Sequence, residues 1–478
     1  MKNLIIIFIS VIKLTSCNVE KSGMSIIFTG DVILDRGVND EIRLHGDSIL
    51  VNAIKKTAKS DFLVINYEGT FTKSDIAQND LYNFKTGENG ALLLKQSGIT
   101  HVSVANNHIY DFGQMGFENT LDALAKNHLV ALGESCEPEL IQKGNAKCAI
   151  LSVSLTSNND SLCISTIDQL KNTVRLFKSQ RPSIPLILYI HWGLELQPDP
   201  EIWQRKLAYD LVKSGVDAII GHHPHVTQTI EFIDDKPVFY SIGNYVWDSY
   251  LTDTDKSFTV EFTVTNKITD IKIRPILIYR YFPKPVNPKD QISSVNEYLS
   301  HSDGICAFKT TDAWMIKAIG NVNFQENTNL WIFSENQTVA AIKTLQSGSH
   351  LLTLLSQDET SNTVSLHGQL SKLLISDINN DGFFDILIGI SKKVHFDPEI
   401  KKRINIYTYQ NQNLQPLWLG TKFVYNITSF NIRKTENFNY LTTLETDENG
   451  NKFQGVYKWD DFGFALSELN QIKTNENY

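Results

Sequence analysis

The 478-residue chain lacks three features that would each indicate a particular class of protein. It has no run of 18 apolar residues, so the sequence predicts no ordinary transmembrane helix. It has no excess of positive charge, since 44 lysines and arginines stand against 53 acidic residues. That balance argues against a nucleic-acid partner, because phosphate contacts need a basic face. It also has no Cys-x-x-Cys pair, which argues against a cysteine-based zinc site.

The composition is that of a packed globular protein, with 42% hydrophobic and 20% charged residues. At about 100–200 residues per domain, the length predicts two or three domains. Four of the five cysteines lie beyond residue 130, and we expect them to be buried free thiols, although an exported compartment would permit disulfides. They are Cys136, Cys148, Cys163 and Cys306.

Residues 1–17 resemble a bacterial lipoprotein signal peptide. Lys2 gives a charged start, residues 4–12 form a short apolar stretch, and Cys17 ends a Leu-Thr-Ser-Cys motif that resembles a lipobox. The resemblance implies an exported lipoprotein whose Cys17 carries lipid that anchors it to a membrane, on its periplasmic or cell-surface face. A buried N-terminal strand with an incidental cysteine is the alternative.

From residue 25 to about 250, apolar runs alternate with amphipathic segments, which predicts a layered α/β domain that we place at residues 25–285. One helix carries an apolar stripe from Phe117 to Ala125, and a second begins with Asp199-Pro200 and ends before Gly215. The candidate strands are Ser25–Thr29, Phe62–Asn66, His101–Ala105, Leu186–Ile190, Ala218–Ile220 and Val238–Ser241.

The pattern changes after residue 256. Ser257–Thr265 and Ile271–Tyr279 predict an antiparallel hairpin, and the proline-bearing stretch Phe282–Lys289 predicts a boundary loop. From 310 to 478 the helical periodicity disappears, which predicts an all-β domain. Three similar aromatic units favour either a small propeller-like repeat domain or a β-sandwich. They are Asn329–Phe333, Arg403–Tyr407 and Gln454–Trp459.

Clusters of polar residues directly follow the predicted strands, where open α/β sheets bind their ligands. The histidines of one cluster include the i, i+2 pair His223 and His225, which an extended segment would aim the same way. Carboxylates, imidazoles and an asparagine carbonyl suit one or two divalent transition-metal ions such as Zn, Mn or Fe. A structural loop without metal is the alternative. The clusters are Gly30-Asp31, Asn66-Tyr67-Glu68, Asn106-Asn107-His108, His191-Trp192-Gly193 with Glu195, Gly221-His222-His223-Pro224-His225 and Ser241-Ile242-Gly243-Asn244-Tyr245.

In this order, and with Asp111 and Gly113 after the third cluster, the motifs of residues 25–280 resemble the CapA family of poly-γ-glutamate capsule biosynthesis, which is related to calcineurin-like metallophosphoesterases. The resemblance implies a four-layer αββα sandwich, followed here by the β-rich region. It also implies a role in cell-surface polymer synthesis or a phosphoesterase-like hydrolysis. The metal ligands that it implies are Asp31, Glu68, Asn107, His191, His223 and His225.

The remaining candidates have catalytic or substrate roles. His108 would contact the scissile group, His222 competes with His223 for one role, and Glu195 is either an acid/base group or a structural residue. The chain departs from the wider superfamily because Ile33 stands where its histidine follows the first aspartate, and because Glu68 replaces its bridging aspartate. Arg36 fits either an anionic substrate or a surface ion pair.

A second candidate ion site lies in the β-rich region. Oxygen-bearing side chains occupy positions 1, 3, 5 and 9 of a loop with glycine at position 6, like the front of an EF-hand loop, but Ile388 stands at position 12. The flanking strands resemble the calcium loops of FG-GAP-like repeats, which implies a structural Ca²⁺; an Asx turn is the alternative. The four residues are Asp377, Asn379, Asp381 and Asp385.

Two functions remain open. The first is a metal-dependent hydrolase or transferase that acts on a phosphate ester, an amide or a surface polymer. The second is a non-catalytic lipoprotein subunit that binds an acidic polymer or a membrane synthase. Because the chain is acidic, that binding would need a local basic groove or a metal bridge.

Overall fold

The fold is taken from a computed structural model of the chain. It describes residues 23–78, 82–156, 162–248, 251, 253–287, 290–299, 302, 305–309, 313–318, 329–333, 339–344, 350–355, 360–381, 385–394, 397–410, 413–420, 423–435 and 438–472. The signal-like segment with Cys17 lies outside these residues. Among the helices described, none is long and apolar enough to cross a membrane.

The described residues up to 285 form six helices and sixteen strands. The helices are α1 (Arg36–His45), α2 (Ser48–Thr57), α3 (Asn89–Gln96), α4 (Gly113–Lys126), α5 (Ile167–Gln180) and α6 (Ile202–Lys213). The strands are β1 (Met24–Val32), β2 (Phe62–Tyr67), β3 (Thr70–Phe71), β4 (Lys85–Thr86), β5 (His101–Ser103), β6 (Val130–Leu132), β7 (Glu139–Lys143), β8 (Ala146–Ser154), β9 (Leu186–His191), β10 (Ala218–His222), β11 (Ile230–Ile233), β12 (Lys236–Phe239), β13 (Asn244–Val246), β14 (Lys256–Val264), β15 (Ile268–Tyr279) and β16 (Phe282–Pro285).

Beyond residue 285 the chain forms one more described helix, α7 (Gln291–Leu299), and then strands. These are β17 (Ile305–Lys309), β18 (Trp314–Ala318), β19 (Asn329–Phe333), β20 (Val339–Thr344), β21 (His350–Leu355), β22 (Thr360–Leu366), β23 (Gln369–Ser376), β24 (Asp385–Val394), β25 (Asp397–Gln410), β26 (Asn413–Trp418), β27 (Asn426–Lys434), β28 (Asn439–Thr446), β29 (Lys452–Asp460) and β30 (Gly463–Gln471).

Two sheets organise the first part of the fold. The first sheet has the order β22-β21-β20-β19-β17-β18-β15-β14-β1-β2-β5-β6, and the second has the order β11-β12-β10-β9-β8-β7. Strands β1, β2, β5 and β6 are parallel, and so are β8, β9, β10 and β12. Parallel strands end at the same edge of a sheet, so each sheet presents one edge of carboxyl ends.

The alternation of side chains along β1 shows how the layers pack. Phe28 lies in a core shared with Tyr189 of the second sheet, and the two rings are 5.6 Å apart. Ile27, which points the opposite way, lies in a core with Val38 of α1. On the far face of the second sheet, Leu188 shares a core with residues of α5 and α6. Helices therefore cover the outer face of each sheet, and the sheets pack against each other.

All six predicted strands coincide with observed strands. Two boundaries predicted from proline are wrong. Helix α6 begins at Ile202 because Glu201 is its N-cap, and the backbone N–H of Glu201 donates to the Gln204 side chain at 2.8 Å. The predicted loop at Phe282 begins instead with β16, which pairs with β15 through a tight turn at Arg280 and Tyr281, both with positive φ.

The β-rich region consists of antiparallel meanders. Strands β19–β22 continue the first sheet, while β23–β26 and β27–β30 each form a separate four-stranded sheet. The three aromatic units are not equivalent in this arrangement, because the first lies in β19, the opening strand of its meander, whereas the others lie in β25 and β29, each a third strand.

Cys136 and Cys163 form a disulfide, so the expectation of free thiols is wrong for these two. Their Cα atoms are 5.3 Å apart although 27 residues separate them in sequence, because the loop after β6 meets the loop before α5. Cys148 is a buried free cysteine, as predicted. Cys306 lies in β17.

Removal of this disulfide is expected to destabilise the protein by about 3 kcal/mol, because the bond restricts a loop of 27 residues in the unfolded chain. Urea unfolding of a Cys136→Ser/Cys163→Ser variant should show a lower midpoint than the wild type. A reducing agent should lower the midpoint of the wild type and leave that of the variant unchanged. An equal urea midpoint for the wild type with and without the reducing agent would contradict the prediction.

Candidate metal centre

The candidate site lies where the carboxyl ends of the two sheets meet. In the first sheet, Asp31 of β1 stands in register with Asn66 of β2. In the second sheet, His191 of β9 stands in register with His222 of β10. The Nδ1 atom of His222 is 2.9 Å from Oδ1 of Asp31, so the two edges are joined directly. Parallel strand order thus places residues nearly two hundred positions apart in sequence at one point.

Asp31 is fully buried at the centre of this junction. Its carboxylate accepts hydrogen bonds from Nδ2 of Asn66 at 2.8 Å and the backbone N–H of His223 at 3.2 Å, besides the one from His222. Nδ1 of His225 lies 3.3 Å from its second oxygen. Burial alone would raise the pKa of Asp31, but the charges and hydrogen bonds of His222 and His225 hold it well below its usual value. Asp31 is therefore ionised.

Glu68 is fully buried and poorly satisfied. Oε1 is 3.4 Å from Nδ2 of Asn66, and Oε2 has no hydrogen-bond partner in the part of the chain that the structure describes. Burial and the negative charges of Asp31, Glu195 and Asp111 raise the pKa of Glu68 well above its usual value. Carboxylates gathered this closely require a cation or a proton among them.

The histidine loop after β10 adopts an unexpected backbone. His223 has φ 95° and His225 has φ 59°, so both are left-handed and the prediction of an extended segment is wrong. The two imidazoles nevertheless lie close together, with ring centroids 6.1 Å apart. Backbone strain at non-glycine residues is typical of functional sites.

The hydrogen bonds of Asn244 fix the tautomer of His225. Nδ2 of Asn244 donates to the carbonyls of His225 and Thr254, each at 3.1 Å, so Oδ1 of Asn244 is the acceptor. Nδ1 of His225 lies 2.9 Å from that oxygen and therefore carries a proton. The lone pair of Nε2 is then left for a ligand. Burial by itself would lower the pKa of His225, but the hydrogen bond and the charge of Asp31 outweigh burial and raise that pKa.

His191 differs from the other imidazoles because both ring nitrogens have protein partners. Nε2 is 2.8 Å from Oδ1 of Asn107, and Nδ1 is 3.2 Å from Nδ2 of Asn66. Burial and the charge of His223 lower the pKa of His191 well below its usual value, so the ring is neutral. The predicted ligands His191 and Asn107 thus contact each other, and a metal would have to separate them.

His108 is oriented by a carboxylate. Its Nδ1 lies 2.9 Å from Oδ2 of Asp111, which also accepts the backbone N–H of Phe84 at 2.8 Å. A carboxylate only accepts, so Nδ1 of His108 carries a proton. Nε2 is 4.0 Å from Oε2 of Glu68 and faces the site.

The donor set fits a divalent cation. Among the buried side-chain atoms that lack a partner within the described residues, three belong to residues of this site, namely Oε2 of Glu68, Nε2 of His222 and Nδ1 of His223. Two groups of described ligand atoms lie within 4.8 Å of one another, Asp31 with Glu68 and His225, and Glu195 with His223 and His225. His225 belongs to both groups, and the exposed Glu195 lies among the ligands. Mixed oxygen and nitrogen donors of this kind suit Zn, Mn or Fe.

Three asparagines and an aspartate support the ligands, and we assigned none of them a site role from the sequence. Asn66, Asn106 and Asn244 are buried and hold their neighbours through side-chain hydrogen bonds, as Asp111 holds His108. All four lie inside the quoted motifs, so their position in the sequence was the available signal. Asp248, which no motif includes, is also buried.

The candidate calcium loop lies between β23 and β24, which belong to a different sheet from the strands of the candidate metal centre. The backbone N–H of Asp381 donates to Oδ1 of Asp377 at 3.1 Å, and that of Ile378 donates to Oδ2 of Asp385 at 2.9 Å. Burial raises the pKa of Asp385 to about 7. The loop residues therefore bind one another as in an Asx turn, which leaves the calcium prediction a prediction.

Gly221 lies in the closely packed end of β10, directly before the histidine loop, and we expect Gly221→Ala to be strongly destabilising. A Cβ at this position would lie 1.9 Å from the carbonyl oxygen of Tyr240 and 2.6 Å from Nε1 of Trp192. Such overpacking costs about 1–3 kcal/mol or more. Thermal unfolding should show a clear drop for this variant, whereas the control Gly87→Ala, with open space at its Cβ, should unfold like the wild type. Equal midpoints for the two variants would refute this packing.

Comparison with known proteins places the site in a matched region. Residues 25–249 match the family described as "Bacterial capsule synthesis protein PGA_cap". The chain is 28% identical over 286 residues to the PGA biosynthesis protein CapA of Bacillus subtilis, and the aligned region covers 56% of this chain and 75% of that protein. It is 26% identical over 294 residues to the capsule biosynthesis protein CapA of Bacillus anthracis, with 56% and 70% covered. It is 24% identical over 253 residues to a probable polyglutamine synthesis accessory protein of Mycobacterium tuberculosis, with 46% and 65% covered.

Proposed function

Residues 25–249 belong to the bacterial capsule synthesis protein family, and on this basis we propose that the chain is a metal-dependent, phosphoesterase-like hydrolase or transferase that serves the synthesis of poly-γ-glutamate or another cell-surface polymer. The observation that carries the proposal is the convergence of buried carboxylates and imidazoles with unpartnered atoms at one junction. The relatives named for PGA, capsule and polyglutamine synthesis support the polymer as the setting of the reaction.

The residues that would hold the metal are those whose ligand atoms lie together. Asp31, Glu68 and His225 form one set, and Glu195 and His223 extend it. A bound divalent cation would polarise a phosphoryl or carbonyl oxygen and lower the pKa of a water molecule. Because Glu195 is in this set, we propose it as a ligand before an acid/base group.

The chain's own residues would orient substrate and move protons. His108 holds a proton at Nδ1 against Asp111 and presents Nε2 to the site, where it can exchange a proton with the leaving group. Asn66 orients both Asp31 and His191. His222 bridges the two sheets through Asp31 and presents Nε2 without a partner among the described residues, so it is a second candidate for the proton donor.

The finer fold assignment belongs to this proposal. The order of helices, sheet, sheet and helices supports a metallophosphatase-like αββα sandwich, and the four-stranded meanders support a propeller-like C-terminal domain. We also propose Ca²⁺ in the loop from Asp377 to Asp385. Calorimetric titration with Ca²⁺ should then show binding that Asp381→Asn removes; no heat in the wild type would reject it.

Anchoring through Cys17 is proposed from the signal-like sequence, and the disulfide supports an exported location because such bonds persist in oxidising compartments. The expressed protein should sediment with membranes, and Cys17→Ser should release it. A Cys17→Ser protein that stays with membranes would reject lipid anchoring.

The direct test of the proposed function has two measurements. Metal analysis of the purified domain should find transition metal, and assays with phosphate esters and γ-glutamyl peptides should show turnover that a chelator stops. The non-catalytic alternative, a subunit that binds an acidic polymer or a membrane synthase, is favoured by the direct contact of His191 with Asn107. Absence of turnover together with co-purification of a synthase would establish that alternative.

A further inference from the structure

An arginine stands beside the metal centre, connected to it by two aromatic rings. The guanidinium carbon of Arg36 lies 5.6 Å from the ring centroid of Phe84, which lies 4.4 Å from the ring of His108. Phe84 also contacts Trp247 at 6.1 Å, and Trp247 lies 4.2 Å from the ring of His225. One ring therefore separates Arg36 from the proposed proton donor, and two separate it from the metal ligands.

The side chain of Arg36 is open on one side and supported on the other. It is 48% exposed, whereas Phe84 and Trp247 are buried. Nε pairs with Oδ2 of the buried Asp248 at 3.1 Å, and the same oxygen accepts the backbone N–H of Gly37 at 3.2 Å. Within the described part of the chain, the guanidinium forms no hydrogen bond through its two terminal nitrogens. Those nitrogens form the fork that grips a carboxylate in a bidentate way.

The backbone at Arg36 is strained where it places this side chain. Its φ is 55°, although it is not glycine and is the first residue of α1. Asp35 accepts the Arg36 backbone N–H at 2.7 Å and holds the conformation. Strained residues cluster at binding sites, so the backbone conformation of Arg36 supports a binding role for its side chain.

Acidic side chains near the site favour a cation at its rim for an anionic substrate. The negative charges of Asp31, Asp111 and Glu195 act on Glu68, and the chain as a whole carries a net charge of −9. A cation at the rim provides the local attraction that the acidic chain otherwise lacks.

We propose that Arg36, seated on Phe84 and backed by Asp248, is an anion-binding subsite that holds a carboxylate of a glutamyl polymer beside the metal centre. The identity of the polymer rests on the proposed function. The subsite itself rests on the open guanidinium, its aromatic support and the strained backbone. It positions one repeating unit of the polymer so that a neighbouring unit lies against His108.

The test is equilibrium binding of a synthetic γ-glutamyl oligopeptide, measured by calorimetry at low salt with Arg36→Gln, Arg36→Lys and a matched control. Arg205 is the control because it is 43% exposed, lies 3.6 Å from Glu231 and sits 5.4 Å over the ring of Tyr240. We expect Arg36→Gln to weaken binding about tenfold, since it removes one charge-assisted bidentate contact. Arg36→Lys should lose less, and Arg205→Gln should bind like the wild type. Amidation of the peptide's carboxylates should remove the difference between the wild type and Arg36→Gln.

The outcomes separate this subsite from the proposed function. Equal binding by Arg36→Gln and Arg205→Gln, with a wild type that binds the oligopeptide, would refute the subsite and leave the proposed function intact. If the wild type binds inorganic phosphate, Arg36→Gln does not, and neither protein binds the oligopeptide, then the ligand of the subsite is not the glutamyl polymer. A wild type that binds neither probe would refute the anion subsite altogether.

Discussion

Glu68→Gln is expected to lower metal affinity by more than about 100-fold and, at the same time, to stabilise the metal-free protein. Loss of a supporting residue alone costs about 10–100-fold in affinity, and a direct ligand should cost more. The metal-free protein should become more stable because repulsion between negative charges is removed. Glu68 is buried near Asp31, Glu195 and Asp111, and its pKa is raised. Glutamine keeps the shape and removes the charge.

The pH dependence gives the sign of this second effect. A carboxyl whose pKa is raised in the folded state binds more protons there than in the unfolded chain, so stability falls as pH rises above its ordinary value. The advantage of Glu68→Gln over the wild type should therefore be large near neutral pH and shrink toward acidic pH. Thermal unfolding of both chelator-treated proteins at pH 5 and pH 7.5 measures it.

A matched control separates a site effect from general damage. His101 is also buried, and burial lowers its pKa to about 4, but it contacts Thr100 and Phe62 away from the ligands. His101→Gln should leave the metal content unchanged. Full metal content in Glu68→Gln would refute Glu68 as a metal ligand. Loss of metal from both variants would also refute it, because the loss would then not be specific to the site.

His108→Gln is expected to reduce turnover by about 10²–10⁴-fold, the range that a positioned general acid or base contributes. The reason is geometric, because Asp111 fixes the proton at Nδ1 and directs Nε2 into the site. The loss should appear mainly in kcat, and substrates with a good leaving group should suffer less, since they need less proton donation. Steady-state kinetics with two aryl phosphates of different leaving-group pKa measures both effects.

Asp111→Asn tests the positioning role separately. It removes the charge beside His108 but retains an acceptor for the Phe84 backbone N–H, so the loss should be smaller and the pH profile should shift. The control is His45→Gln, whose Nε2 pairs with Glu41 at 3.4 Å on the surface. Unchanged kcat in His108→Gln, with normal metal content, would exclude His108 as the proton donor and shift the role to His222.

Much of the fold followed from the sequence because apolar runs and helical periodicity are local signals. Six of the strands of the α/β region and the helix with the apolar stripe from Phe117 to Ala125 were found in this way. Element ends were less predictable. The turn at Arg280 and Tyr281 contains neither glycine nor asparagine, so nothing in its composition distinguished a hairpin from a loop.

The sequence by itself indicated which motifs meet at the junction, because each motif follows a strand and parallel strands end at a common edge. Only the tertiary structure decided which groups each residue contacts there. The contact between His191 and Asn107, the orientation of His108 by Asp111 and the disulfide between Cys136 and Cys163 all join distant segments. Hydrogen-bond partners and side-chain burial are properties of the folded chain, since they depend on which loops meet when the two sheets pack together.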